Sequence, residues 1–110
     1  MDNTEFEWAT LGARGVTSAK GLKFDSDKPR MDLLPPRAIV DVAKVLTFGA
    51  KKYAPGNWKH VENAEERYMA AALRHLMAHQ AGELTDPESG LSHLSHATTC
   101  LLFIQELSHG

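Results

Sequence analysis

The chain has 110 residues, with 12 Lys and Arg against 14 Asp and Glu and a net charge of -2, so it has the size of one domain and no charge excess that would select DNA, RNA or an anionic membrane. Its single cysteine, Cys100, excludes an intramolecular disulfide and a CxxC zinc ribbon and suits a reducing cytoplasm. No apolar run approaches the roughly 20 residues that cross a bilayer, and MDNTEFEW has no signal-peptide pattern, so a cytoplasmic protein with no membrane partner and no direct nucleic-acid partner is expected.

Residues 1–20 mix small and polar residues with no sustained period and read as an N-terminal tail or arm; residues 21–110 read as one all-α domain. In GLKFDSDKPRMDLLPP, charges alternate through Lys23, Asp25, Asp27, Lys28, Arg30 and Asp32 before Pro35 and Pro36. That is an ionic, extended lead-in to a helix start, because proline at the first helical position lacks only an N–H that would be unpaired anyway. The first helix is predicted over 36–50, with Ile39, Val40, Val42, Ala43 and Leu46 forming its apolar face. A loop over 48–60 follows, punctuated by Gly49, Pro55 and Gly56. The second helix is predicted over 61–81, rich in good helix formers and stopped by Gly82. Asp86 as cap and Pro87 at the first position predict a third helix over 87–107. With no strand-like alternation and no internal repeat, the expected fold is a small helical bundle whose last two helices form an antiparallel pair.

Four of the six histidines fall in LRHLMAHQAGELTDPESGLSHLSHA. His75 and His79 are four apart and His93 and His96 three apart, so each pair shares a helix face, and a hairpin brings the pairs to the same level. Leu73, Leu76 and Met77 on one helix, and Leu94, Ala97 and Leu101 on the other, give the apolar stripes beside them. The histidines are expected to border the core at the lip of a cleft and to hold a metal there, with Glu83, Asp86 and Glu88 near enough to add oxygen ligands. Imidazole suits Zn, Mn, Fe, Co or Ni better than Mg. The plainer alternative is four ordinary helix histidines.

ENAE (62–65) and ELTD (83–86) together imitate ExxE followed by ExxD, the metal motif of MazG-like nucleotide pyrophosphohydrolases. That motif needs facing helices, whereas here one continuous helix would hold Glu62 and Glu83 roughly 30 Å apart, so the match is read as accidental. Over 21–107, however, KPRMDLLPP, VAKVLTFGAKKY, NWKH, ERYMAAALRH, DPESGLSHLSHA and CLLF make the chain resemble a phage family of dATP/dGTP diphosphohydrolases (N-terminal domain) of MazG-like character. The resemblance implies a metal-dependent enzyme (Mn, Mg, Co or Zn) in the cytoplasm of an infected host. It would cleave a purine deoxynucleoside triphosphate between the α and β phosphates, giving monophosphate and pyrophosphate, and act as a homo-oligomer, a dimer or tetramer. Histidines stand where the wider MazG pattern has carboxylates. An HD-type triphosphohydrolase is disfavoured, since no His-Asp dipeptide occurs.

A triphosphate needs a metal and cations to neutralise it. Lys51, Lys52, Lys59 and Arg74 are the candidate phosphate contacts, the plainer alternative being a solvated basic loop and helix surface. Tyr53, Asn57 and Trp58 are candidates to bind the purine, although a Trp after Pro-Gly serves as readily as a loop anchor. His75, His79, His93, His96 and Asp86 form the candidate metal set, with Glu65, Glu88 and Arg74 as candidate catalytic groups. Glu65 shares the His79 direction but stands roughly 20 Å along the axis, which suits a site spanning subunits. Two other classes compete: a nucleotide-binding or sequestering module without turnover, and a structural helical protein with a His-bound metal.

Overall fold

The computed structural model describes residues 21–109. The chain divides into two units, Met1–Leu33 and Leu34–Gly110. Residues 1–20, read above as an arm, lie outside the described residues. In the first unit the lead-in is irregular up to a short 3-10 turn at Met31–Leu33. The Lys28 amide closes a turn onto the Asp25 carbonyl at 3.0 Å, and the Arg30 guanidinium holds Asp32 through two bonds of 2.8 and 2.7 Å.

The second unit is helical, with α1 (Pro36–Lys52), α2 (Ala64–Gln80) and α3 (His93–Leu107). A 3-10 turn at Asn57–His60 lies between α1 and α2, and no strand occurs among the described residues. The all-α class read from the sequence is therefore the class observed. Pro36 starts α1 as expected, but the helix continues two residues beyond 50, so the predicted loop begins later. Lys51 and Lys52 fall in its last turn, where cations complement the negative end of the helix dipole. α2 starts at Ala64 rather than 61 because Asn63 takes a left-handed φ of 55°, which a right-handed helix cannot propagate through.

At the other end of α2, Gly82 adopts φ 101°. Its N–H reaches the His79 carbonyl at 3.0 Å and the Glu83 N–H reaches the Ala78 carbonyl at 3.0 Å. This pair of bonds is a Schellman closure, so Gly82 stops the helix as its sequence position suggested. The third helix differs from expectation. It starts at His93, not at 87, and its cap is Ser92, whose hydroxyl accepts from the Ser95 N–H at 3.0 Å. Asp86 instead opens a closed loop. Its carboxylate accepts from the Ser89 N–H at 3.1 Å, its carbonyl from Gly90 N–H at 2.7 Å, and its own N–H donates to Leu91 at 2.8 Å. Gly90 with φ 74° breaks the helical path that Pro87 would otherwise have begun.

Tyr68 meets Phe103 with ring centroids 4.9 Å apart, and His75, two turns on, meets His96 at 4.6 Å. Residue numbers rise along α2 as they fall along α3, so the two helices are antiparallel. α1 packs against α3. Only Val42 and Val45 of α1 are buried, while Ile39, Val40 and Leu46 are exposed and so is Ala43. The apolar arc of α1 is wider than one neighbouring helix can cover, and the expected face is only partly used. A sharper departure concerns the hairpin. Leu73, Leu76, Met77, Leu94 and Leu101, expected to be core, are exposed, whereas Ala72, Ala97, Cys100, His93, Ser95 and Thr99 are buried. The buried positions of α2 and α3 are held by small and polar residues, and several of their large apolar side chains are exposed.

The two ends of the hairpin turn predict separable costs. A Cβ at Gly82 meets nothing within 4 Å, so Gly82→Ala pays only backbone strain and lowers unfolding free energy by about 1–2 kcal/mol. Ser92→Ala removes a cap worth about 1 kcal/mol. Chemical denaturation of the two variants checks both values, and an unchanged midpoint for Gly82→Ala contradicts the Schellman assignment.

Candidate metal centre

Three stretches of chain meet at the loop end of the hairpin: the second half of α2, the loop 83–92 and the first turn of α3. The loop is closed on itself by the Asp86–Leu91 bond and by the His93 N–H donating to the Leu84 carbonyl at 2.9 Å, with Thr85 and Ser92 bridged as an antiparallel pair. Backbone bonds thus hold Asp86 and Glu83 beside the first turn of α3, so their carboxylates are set before any ligand arrives.

One donor atom each from His75, Asp86 and His93 lies within 4.8 Å of the others. Nδ1 of His75 and Nδ1 of His93 are 2.7 Å apart. His96 completes the cluster by stacking on the His75 ring at 13° between planes. Its Nε2 lies 2.7 Å from the Ser89 hydroxyl and 3.8 Å from an Asp86 oxygen. Bonds of about 2.0–2.2 Å to a shared ion put this set within a small side-chain rotation of closing on one cation. Two imidazoles and a carboxylate form a donor set suited to first-row metals such as Zn, Mn or Co and poorly suited to Mg.

Burial lowers the pKa of His75, and the neighbouring His96 and His93 push in the same direction. Burial likewise lowers His96, with Asp86 pulling back. For Asp86, burial raises the carboxyl but hydrogen bonding from Ser89 outweighs it, leaving the pKa below its usual value. Neutral imidazoles beside an ionised carboxylate are the protonation states that a cation requires of its ligands.

The other residues singled out from sequence are dispersed. His79 is half-buried one turn past His75, outside the convergent group. Arg74 is exposed beside His75 and is among the charges that lower that imidazole. Glu65 is exposed in the first turn of α2, roughly 15 Å along the axis from His75. Glu88 pairs with Lys52, which ties the loop to the end of α1 and raises the Lys52 pKa through that bond. Lys52 also lies 5.3 Å from the centre of the Tyr53 ring, and Lys51 and Tyr53 are exposed beside it. In the 3-10 turn, Asn57 is exposed, Lys59 lies 5.8 Å from the Trp58 ring centre, and Trp58 stacks on Phe103 at 4.4 Å and 9°. One face of the indole is therefore taken by α3. Ser89, absent from the sequence reading, belongs to the cluster through its bond to His96; the signal for it was the Asp-Pro-X-Ser-Gly run, which builds an Asx-type turn as readily as a helix start.

The lowered imidazoles predict a pH dependence for the metal-free protein. Below the ordinary value of 6.5, the unfolded chain takes up protons that His75 and His96 resist when folded, so stability is full above that pH and falls beneath it. The Asp86 contribution is lost only lower, as pH drops from 3.8 through its folded value. Melting temperatures of chelator-treated protein between about pH 7.5 and about pH 5 measure the first effect, and a flat profile contradicts it.

Comparison with known proteins places the chain in a family. Residues 18–109 match the family model for the N-terminal region of dATP/dGTP diphosphohydrolases. A protein of Salmonella phage PMBT28 named dATP/dGTP diphosphohydrolase is 38% identical over 84 residues, which is 76% of this chain and 28% of that protein. The chain thus spans little more than a quarter of the length of that relative. No solved structure matches. With most of its length covered by the family model, including every residue of the His75–Asp86–His93 cluster, the chain belongs to the dATP/dGTP diphosphohydrolase N-terminal family.

Proposed function

We propose that this chain forms the metal-holding helical part of an enzyme that hydrolyses dATP and dGTP between the α and β phosphates. Water adds, the bond from the α phosphorus to the bridging oxygen breaks, and the products are the deoxynucleoside monophosphate and pyrophosphate. The observation that carries the reading is the convergence of His75, Asp86 and His93, with His96 stacked behind them, in a chain of this family. A divalent cation held there (Mn, Co or Zn more readily than Mg) would neutralise phosphate oxygens and activate the attacking water.

The chain's own residues supply the remaining chemistry. The loop 83–92 fixes Asp86 by backbone bonds, burial favours the neutral forms of His75 and His96 for ligation, and Arg74 beside His75, with Lys51 at the end of α1, offers cations for a polyphosphate. Lys59, Asn57 and Tyr53 are available to the nucleoside, with Trp58 acting through the edge and face that Phe103 leaves open. Glu65, on an outer face, reaches a site only in an assembly. A homo-oligomer, dimer or tetramer, is supported by the exposed Leu73, Met77, Leu101 and Leu102, since monomers rarely leave a broad apolar surface open to water.

No described helix is long and apolar enough to cross a membrane, and the phage relative supports the cytoplasm of an infected host as the place of action. A binding or sequestering module without turnover is the second reading; it is favoured by the Lys52–Glu88 pair, in which a candidate cation and a candidate catalytic carboxylate neutralise one another.

Pyrophosphate release from dATP and dGTP, assayed with each of Mn, Co, Zn and Mg, tests the proposal. Activity is expected with at least one metal, abolished by chelator, and reduced at least about 100-fold in His75→Ala and His93→Ala. Nucleotide-dependent thermal stabilisation without release in any metal selects the sequestering module instead.

A further inference from the structure

The two ring nitrogens of His93 have different partners. Nε2 lies 2.8 Å from a carboxylate oxygen of Glu83, and Nδ1 lies 2.7 Å from Nδ1 of His75. A carboxylate acceptor has no proton to give, so Nε2 of His93 is the donor. In a neutral imidazole the other nitrogen then carries the lone pair, and that nitrogen faces His75. His96 has no such constraint, because the Ser89 hydroxyl opposite its Nε2 can donate or accept. His75, facing a lone pair, is the donor of the shared bond.

We propose that Glu83 is a positioning residue that locks His93 in the Nε2–H tautomer and aims its Nδ1 lone pair at His75 and the cluster. Both partners are fixed by backbone before their side chains meet. The Glu83 N–H is pinned to Ala78 at 3.0 Å by the Gly82 closure, and the His93 N–H to Leu84 at 2.9 Å. Side-chain exposure is 55% for Glu83 and 5% for His93, so the carboxylate keeps much of its water while the imidazole it orients is sealed in. Glu83 is thereby assigned a task other than ligation, although sequence position alone made it a possible oxygen ligand. Carboxylate–histidine pairs of this kind fix ring orientation and raise ligand basicity at metal centres. The consequence for metal affinity rests on the metal-site reading above, whereas the tautomer does not.

The test combines ring-nitrogen NMR shifts of His93 in metal-free protein with Zn2+ titration against a competing chelator. Wild type is expected to show protonated Nε2 and bare Nδ1. Glu83→Gln, whose amide oxygen still accepts, keeps that pattern; Glu83→Ala loses it to a tautomer mixture and binds Zn2+ about 10- to 100-fold more weakly at unchanged stoichiometry. Should Glu83→Ala not fold, Glu83→Lys, a donor only, is expected to drive the proton to Nδ1. Wild-type tautomer and affinity in Glu83→Ala or Glu83→Lys overturn the proposal. So does loss of stoichiometric binding equal to that of His93→Ala, which would make Glu83 a ligand. If wild type binds no Zn2+, the metal-site reading fails, and the nitrogen shifts still decide whether Glu83 sets the tautomer.

Discussion

The bond from His93 to Glu83, continued through His93 to His75, is the contact around which the hairpin is organised. His93 is the first residue of α3 and is 4% exposed. An imidazole at that depth costs free energy unless both nitrogens find partners. Here they are met by one residue from the loop and one from α2. Withdrawing α2 from α3, or opening the loop, would leave a buried polar ring unsatisfied, and such partial satisfaction is more costly than an apolar contact of the same size. Helix pairing, loop closure and site geometry are therefore one constraint.

That constraint accounts for the inverted distribution of side chains. An inner face occupied by His75, His93 and His96 has room for small apolar partners only, and Ala72 and Ala97 supply them. The leucines that would ordinarily fill a helix seam are displaced outward. Among the described residues of 34–110 no large side chain is completely buried, so the core is thin for its length, and the outward leucines hold apolar surface in reserve. At the far end of the hairpin the packing is conventional: Phe103 is clasped between Trp58 and Tyr68, an aromatic cluster that anchors the turn after α1.

Much of the fold was legible in the sequence. Pro36 marked the start of α1 and Gly82 the end of α2, because each signal acts through local backbone geometry. The start of α3 was misread: Asp86-Pro87 is a valid helix opening in isolation, and only the left-handed Gly90 with the better cap at Ser92 decides against it. Which helix face points inward was misread for a deeper reason. Hydrophobic periodicity reports which face avoids water in the final state, not which neighbour covers it, so the outward stripes of Leu73 and Leu101 looked like core. Within the site, the spacing of His75, His93 and His96 showed convergence. The parts played by Glu83 and Ser89 depend on loop closure, and helical periodicity says nothing about a loop. Glu65 and Arg74 lie on exposed faces, where a single chain offers no partner to define them.

All the convergent groups, from His75 to His96, lie within one helix–loop–helix segment. Sequence separation sets the entropy lost when groups are gathered, and a short separation keeps that loss small. The site's contacts thus span less chain than the Trp58–Phe103 and Tyr68–Phe103 contacts elsewhere in the bundle. In a nascent chain the donor set can be complete once the first turns of α3 have formed on α2, irrespective of when α1 docks.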